Sequence, residues 1–528
     1  MDYSRRTIET LVPEHALARL RISPATAIKS PKEKESSRYS PYDFVHSPPL
    51  DTSTLAAHDF DVDVRSGFMP PEPPISRLPS EWQEWETVLQ DAIDARLKLG
   101  DNPVVAPEET DRSALWRDRV QNMPILEIGR LRSSERNLRR AHLVLAWILH
   151  FYVHTHPPDT TPIVISKSLT LPLLAVSREL DLPPVLTYSD TVLYNWRYSP
   201  SDPSKLESIT LFTGTKDEEH FFLTSAYIEL AGVEALSLMQ KCFDEAFVAD
   251  SIALRRIASY LKKLSNVIKR LAKLLDAVRE GCDPKVFYNE VRPWLRGEDS
   301  GKRPWIFLDE NDEEVDFGDR RELSGPSAGQ SALIHAFDIF LGVDHTPRRP
   351  PGVAAGQQQQ QQSQQQPQSQ SSSSALASSS SNGGNRSVKS PSGGFLERMQ
   401  AYMPRHHRAF MNHLKAAKRP IRNLVSLNAT NGASDGAPSS LVNAYDATVL
   451  ALKGLRDTHI RIATLYIVNQ MPRKEHPGPK PEGDVTKLPV VDDNAGVAKG
   501  TGGSDLVPFL KGSRDDTTRT LLNPKSLK

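Results

Sequence analysis

Asn443–Gln470 reads NAYDATVLALKGLRDTHIRIATLYIVNQ. Tyr445, Thr448, Leu452, Leu455, Ile462 and Tyr466 follow a rhythm of three and four residues, so the spacing predicts one long helix with a single apolar face. His459 falls in the middle of that face, and Arg456 lies one turn before it. An imidazole on a rigid helix with a cation one turn away can hold an iron macrocycle, the ring nitrogen on the metal and the guanidinium on a propionate. A histidine on an apolar face is more often a hydrogen-bonded core residue, and periodicity alone does not separate the two.

The totals narrow the field. A chain of 528 residues has room for two or three domains. Lys+Arg and Asp+Glu are both 65, so no global field favours nucleic acid or an anionic membrane. Cys242 and Cys282 are too few for a disulfide framework or a thiolate metal site and suggest a reducing compartment. The N-terminal MDYSRRTIETLVPEHALARL lacks the apolar core of a signal peptide. Ala141–Val153 (AHLVLAWILHFYV), the most apolar run, falls short of the roughly 20 residues that cross a bilayer. A soluble, cytoplasmic protein is expected.

Helical periodicity dominates the rest. Helices are expected from Ser80 (with Ser80 as N-cap), over Ser134–Tyr152, Thr170–Leu180, Phe221–Phe247, Ser251–Glu280, Pro284–Arg296, Gln330–Leu341 and Phe395–Ala417. Short strands are expected near Ile163–Ile165 and Ile209–Thr213. The fold class that results is mainly all-α: a large helical domain (201–345 and 395–470) and a smaller, mostly helical N-terminal domain (41–200). Residues 1–40 read as a flexible extension, and 346–394, with glutamine and serine tracts, as a disordered insertion. Residues 471–528 read as a loop and C-terminal segment, in which Lys499–Asp505 (KGTGGSD) could fold over a pocket.

Ordinary catalytic motifs are missing. KGTGGSD has neither the preceding strand nor the Lys-Ser/Thr of a phosphate loop. Asp309–Asp319 lacks EF-hand spacing, and Phe151 stands where a zinc helix through His150 and His154 would need its glutamate.

A set of segments nevertheless resembles one family in order along the chain. They are Leu180–Trp196 (LDLPPVLTYSDTVLYNW), His220–Gly232 (HFFLTSAYIELAG), Asp283–Gly297 (DPKVFYNEVRPWLRG), Ser327–Gly342 (SAGQSALIHAFDIFLG), Tyr402–Met411 (YMPRHHRAFM), Ala444–Ile467 and Lys499–Lys511. Together they resemble indoleamine 2,3-dioxygenase, in a form that looks fungal.

The resemblance implies haem b, one iron per chain, held by His459 in a large all-α domain. It implies oxidative cleavage of the indole C2–C3 bond of L-tryptophan or a related indoleamine by O2, giving N-formylkynurenine, the first step of the kynurenine pathway toward NAD. It places Arg456, Asp338 and Ser327 around the haem. Arg292 is implied to hold the substrate carboxylate, with Phe287, Phe221, Tyr188, Ser225, Ala328 and Thr501 about the substrate. Gly502 and Gly503 belong to the implied closing loop, and Ala328 and Gly329 to a tight passage over the haem edge. His407 receives only a structural role. An electron donor that keeps the iron ferrous is implied, and a monomer is expected, with no nucleic-acid or membrane partner. Pro326, Thr191 and Tyr288 depart from the family pattern, adding stiffness or hydroxyls near the substrate. The alternative is a haem-binding paralogue or sensor of low activity.

Overall fold

A computed structural model describes residues 60–159, 161–301, 303–317, 323–346, 394–431, 440–472 and 498–523. The readings of 1–40 as flexible and of the glutamine/serine stretch as disordered lie outside the described residues, as does most of 471–497.

Four helices come first: α1 (Gln83–Asp94), α2 (Pro107–Gln121), α3 (Glu135–His154) and α4 (Lys167–Leu180). Ser134 caps α3, its Oγ accepting from Asn137 N at 3.4 Å. Ser80 opens a 3-10 turn rather than capping α1, because Pro79 occupies the cap position. The strand expected at Ile163–Ile165 is present as β1 and pairs in parallel with β4 (Trp305–Phe307). The one expected over Ile209–Thr213 is displaced. The chain pairs β2 (Trp196–Tyr198) with β3 (Leu206–Ser208) instead, while Asn195 fixes Thr210 by a side-chain bond to its N–H at 2.8 Å.

The larger bundle is built from α5 (Lys216–Val248), α6 (Ser251–Asp276), α7 (Ala332–Leu341) and α11 (Ser440–Tyr466). Between the last two come α8 (Phe395–Gln400), α9 (Arg405–Lys415) and α10 (Ile421–Asn431), and α12 (Leu506–Arg519) closes the chain. In α6, Ala253, Ile257, Leu261, Leu264, Ile268 and Leu271 are buried along one stripe, with Arg255, Lys262, Lys263 and Lys269 on the outside. Asp250 caps it through the N–H groups of Ile252 and Ala253 at 2.9 and 2.7 Å. Helix α11 packs along α6, and α6 along α5. Helix α5 is long and apolar enough to cross a membrane, yet 72% of its most apolar stretch is buried inside the protein, which makes it a core helix.

The expected helix Phe395–Ala417 is divided at Pro404, which cannot continue a helix, and Pro284–Arg296 is broken into α, π and 3-10 turns. Helices α2, α10 and α12 were not anticipated. Charge-rich sequence in α2 and α12, and a short run rich in Asn, Ser and Thr in α10, weaken the periodic signal.

Buried side chains form two main apolar clusters. One joins α5, α6, α7 and α11. The other joins α1 to α4 with Phe287, Trp294, Ile462 and Tyr466. Helix α11 contributes to both, so its middle stands where the two meet.

Candidate active site

The apolar face of α11 is buried as its spacing predicts: Tyr445, Thr448, Leu452, Leu455, Ile462 and Tyr466 are all inside. Polar atoms on that face have partners, Tyr445 Oη donating to Leu341 O at 2.6 Å and Thr448 Oγ1 to Leu261 O at 2.9 Å. His459 differs. Among the described residues neither ring nitrogen has a hydrogen-bond or ion-pair partner. It is set deep in the protein yet keeps part of its surface accessible. Burial, reinforced by Arg456, lowers its pKa to about 4, leaving a neutral imidazole with a free lone pair.

One turn earlier, Arg456 is clamped. Its Nη2 donates to both carboxylate oxygens of Asp338 on α7 at 2.7 Å, and its Nη1 donates to Thr517 Oγ1 on α12. The paired Asp–Arg is therefore present, and it pins three helices beside His459.

From His459, Tyr466 lies two turns along the same face. Its ring meets Phe287 at 5.6 Å, and Phe287 meets Phe221 of α5 at 4.5 Å. Ser225, one turn beyond Phe221, is half-buried and also lacks a partner among the described residues. An aromatic wall thus runs from the histidine helix to α5.

Arg292 follows the π turn Phe287–Val291 and is 8% exposed. Among the described residues no carboxylate pairs with it. Its Nη2 donates to Lys499 O at 2.5 Å, its Nε is buried without a partner, and its guanidinium stands 5.6 Å from the Tyr288 ring. Burial first, and then Arg296, lower its pKa to about 10. A buried cation without an anion is costly, and a ligand carboxylate would relieve it.

The segment after Arg292 is held by the two histidines dismissed as zinc ligands. His150 Nδ1 donates to Trp294 O at 2.7 Å while its Nε2 accepts from Leu186 N at 3.3 Å, and His154 Nε2 donates to Arg296 O at 3.0 Å. Burial holds His150 near pKa 4, consistent with that neutral tautomer. Among the described residues no group of three metal-ligating side chains exists. His407 is likewise internal, its Nε2 donating to Asp61 O at 3.2 Å.

Tyr188 precedes a second π turn, Ser189–Leu193. Asp190 fixes that turn: its Oδ2 accepts from Thr187 N and Oγ1 at 2.8 and 2.7 Å, and its Oδ1 takes His142 Nδ1 at 2.8 Å. This carboxylate raises the His142 pKa against the effect of burial. Gln330 ties Tyr188 to the Ser327–Gln330 passage, accepting from Tyr188 N at 2.8 Å and donating to Gly325 O at 2.9 Å. The Tyr188 hydroxyl donates to Glu229 Oε1 at 3.0 Å. The hydroxyl of Thr191 donates to Thr187 O at 3.3 Å. Within the passage, Ser327 Oγ accepts from Gly329 N at 3.2 Å, and Ala328 is exposed.

Lys499–Asp505 forms a tight hairpin docked on that passage. Thr501 Oγ1 donates to Pro326 O at 2.7 Å, Gly325 N to Thr501 O at 3.1 Å, and Ser324 Oγ to Gly502 O at 3.4 Å. Gly503 has φ +77°, and a Cβ there would come within 2.1 Å of Asp299 Oδ2, so only glycine fits. Thr501 is thus engaged with Pro326, while Lys499, absent from the expected set, supplies the carbonyl on Arg292.

His142, Asp190, Gln330 and Glu229 escaped the sequence reading. The Thr187-x-x-Asp190 spacing is a local capping pattern that could have signalled the first contact. The partners of the others are distant in sequence and leave no such trace.

On a mainly all-α fold, the chain thus carries an imidazole and a buried arginine, the first without a hydrogen-bond partner and the second without a carboxylate among the described residues, together with an aromatic wall from the histidine helix to α5. The chain belongs to the indoleamine 2,3-dioxygenase family, whose family model matches residues 56–520. It is a dioxygenase, and so an oxidoreductase. It is 30% identical over 487 residues to indoleamine 2,3-dioxygenase acdA of Aspergillus candidus, covering 89% of this chain and 98% of that protein. It is 29% identical over 475 residues to indoleamine 2,3-dioxygenase of Saccharomyces cerevisiae (86% and 91% of the two chains). It is 26% identical over 472 residues to 6-hydroxytryptophan 2,3-dioxygenase fscD of Fusarium equiseti (88% and 97%).

Proposed function

We propose that the chain binds haem through His459 and cleaves the indole C2–C3 bond of L-tryptophan with O2 to give N-formylkynurenine, at the head of the kynurenine route to NAD. The observation that carries the substrate is Arg292, a buried guanidinium with no carboxylate among the described residues, at the end of an aromatic wall. The observation that carries the cofactor is the neutral imidazole of His459, deep in the protein and without a partner among the described residues, which is the donor an iron porphyrin requires.

Haem supplies the activation of dioxygen. The chain does the rest by positioning. Arg292 grips the carboxylate through its planar fork, giving up the Lys499 carbonyl. Phe221 and Phe287 flank the indole, Tyr188 closes its wall, and Ser225 offers a hydroxyl on the α5 side. The Asp338–Arg456–Thr517 clamp fixes the pitch of α11 and hence the His459 ring. The hairpin of Thr501, Gly502 and Gly503, docked on Pro326 and Ser324, excludes water.

The same reading includes an electron donor, a monomeric chain and a cytoplasmic location.

Tryptamine, which lacks the carboxylate, tests the substrate assignment. A lost charge-assisted contact of about 3 kcal/mol lowers kcat/KM by roughly 10²-fold relative to L-tryptophan. Equal values for the two would remove Arg292 from the substrate.

A further inference from the structure

Glu229 stands one turn beyond Ser225 on α5, so Phe221, Ser225 and Glu229 share a face of that helix. It is 2% exposed. Its Oε1 accepts from Tyr188 Oη at 3.0 Å and from Ser331 Oγ at 2.6 Å. Among the described residues its Oε2, sealed from solvent, has no partner, and no cation acts on the carboxyl: burial dominates its environment, opposed by the two hydroxyls, one from the Tyr188 turn and one from the start of α7.

Two donors on one oxygen and none on the other match a carboxylic acid, with Oε1 as its carbonyl and Oε2 as its hydroxyl. An ionised Oε2 would be an unneutralised, unsolvated charge, which the interior disfavours. We propose that Glu229 works as a neutral carboxylic acid, a positioning residue that joins α5, the Tyr188 turn and the Ser327–Ser331 passage into one wall of the ligand pocket. Burial pushes its carboxyl up to about 7, so the acid form prevails below neutrality. The sign follows: a folded pKa raised above the unfolded value gives a contribution complete at low pH and lost as pH rises through about 7. To ionise, Oε2 must admit water, and water there separates Tyr188 and Ser331 from α5.

The functional part of this inference rests on the tryptophan reading, and the test keeps the two apart. Infrared difference spectra of the full chain, taken without substrate, should show the stretch of a protonated buried carboxyl at about pH 6 that fades by about pH 9 and is absent from Glu229→Gln. In steady-state kinetics with L-tryptophan, KM of the unaltered enzyme should rise roughly 10-fold across the same interval with kcat little changed. Glu229→Gln, whose amide reproduces the acid's acceptor and donor, should keep the low-pH KM throughout, whereas Glu229→Ala should have the raised KM at every pH. Absence of the infrared band at about pH 6 overturns the proposal, as does a KM in Glu229→Gln that climbs with that of the unaltered enzyme. The infrared measurement needs no substrate. A chain that keeps the band but turns over no tryptophan at any pH supports the acid and refutes the substrate assignment.

Discussion

His459→Ala yields a folded protein whose purified form carries no Soret band and whose turnover of L-tryptophan falls at least ~10³-fold, because no other side chain replaces the ligand. The absence of substitutes is structural. Among the described residues Arg456 lies on Asp338 and Thr517, and the remaining buried histidines His142, His150, His335 and His407 are hydrogen-bonded elsewhere. The fold should tolerate the change, since the imidazole makes no hydrogen bond among the described residues that its removal would orphan. Absorption spectra of equal protein concentrations, read beside thermal melts, check both halves. A Soret band of unchanged height in the variant would mean that the iron is held elsewhere.

Arg292→Met produces the opposite pairing of effects. Losing the carboxylate grip costs about 3–4 kcal/mol of transition-state stabilisation, so kcat/KM for L-tryptophan falls roughly 10²–10³-fold. Haem content stays normal. Stability rises by roughly 1–2 kcal/mol, because a buried guanidinium without an anion gives way to an apolar chain of similar reach. The lost Lys499 bond and the Tyr288 contact offset part of this gain. Denaturant melts and Michaelis parameters on one preparation measure the trade. Loss of haem, or a marked loss of stability with kcat/KM intact, would make the arginine a structural residue.

Much of this architecture was legible before any coordinates. The α11 stripe and the long α5 and α6 helices announced themselves because a 3.6-residue rhythm over many turns is hard to imitate. Breaks were harder to see. The π turns at Ser189–Leu193 and Phe287–Val291 keep near-helical sequence, and nothing local marks the extra residue per turn. Strand β1 was read correctly, but β2 and β3 did not announce themselves, since they are three residues each and depend on each other for pairing.

The site divides in the same way. Asp338 and Arg456, which the family resemblance set side by side, are found in contact. The supporting shell was invisible. Glu229 with Ser331, His150 with Trp294, and Gln330 with Tyr188 join positions about a hundred or more residues apart, and such contacts exist only once the chain has folded. Thr191 shows a local bond of the kind a threonine makes in a turn: its hydroxyl donates to the carbonyl of Thr187.

The central claim is that Arg292 and His459 serve one reaction on one substrate. Mass spectrometry of the products after incubation of the reduced holoprotein with L-tryptophan and isotopically labelled O2 tests it most directly. The account predicts N-formylkynurenine carrying label at both new oxygens. Tryptophan recovered unchanged, or a product with a single labelled oxygen, would contradict it.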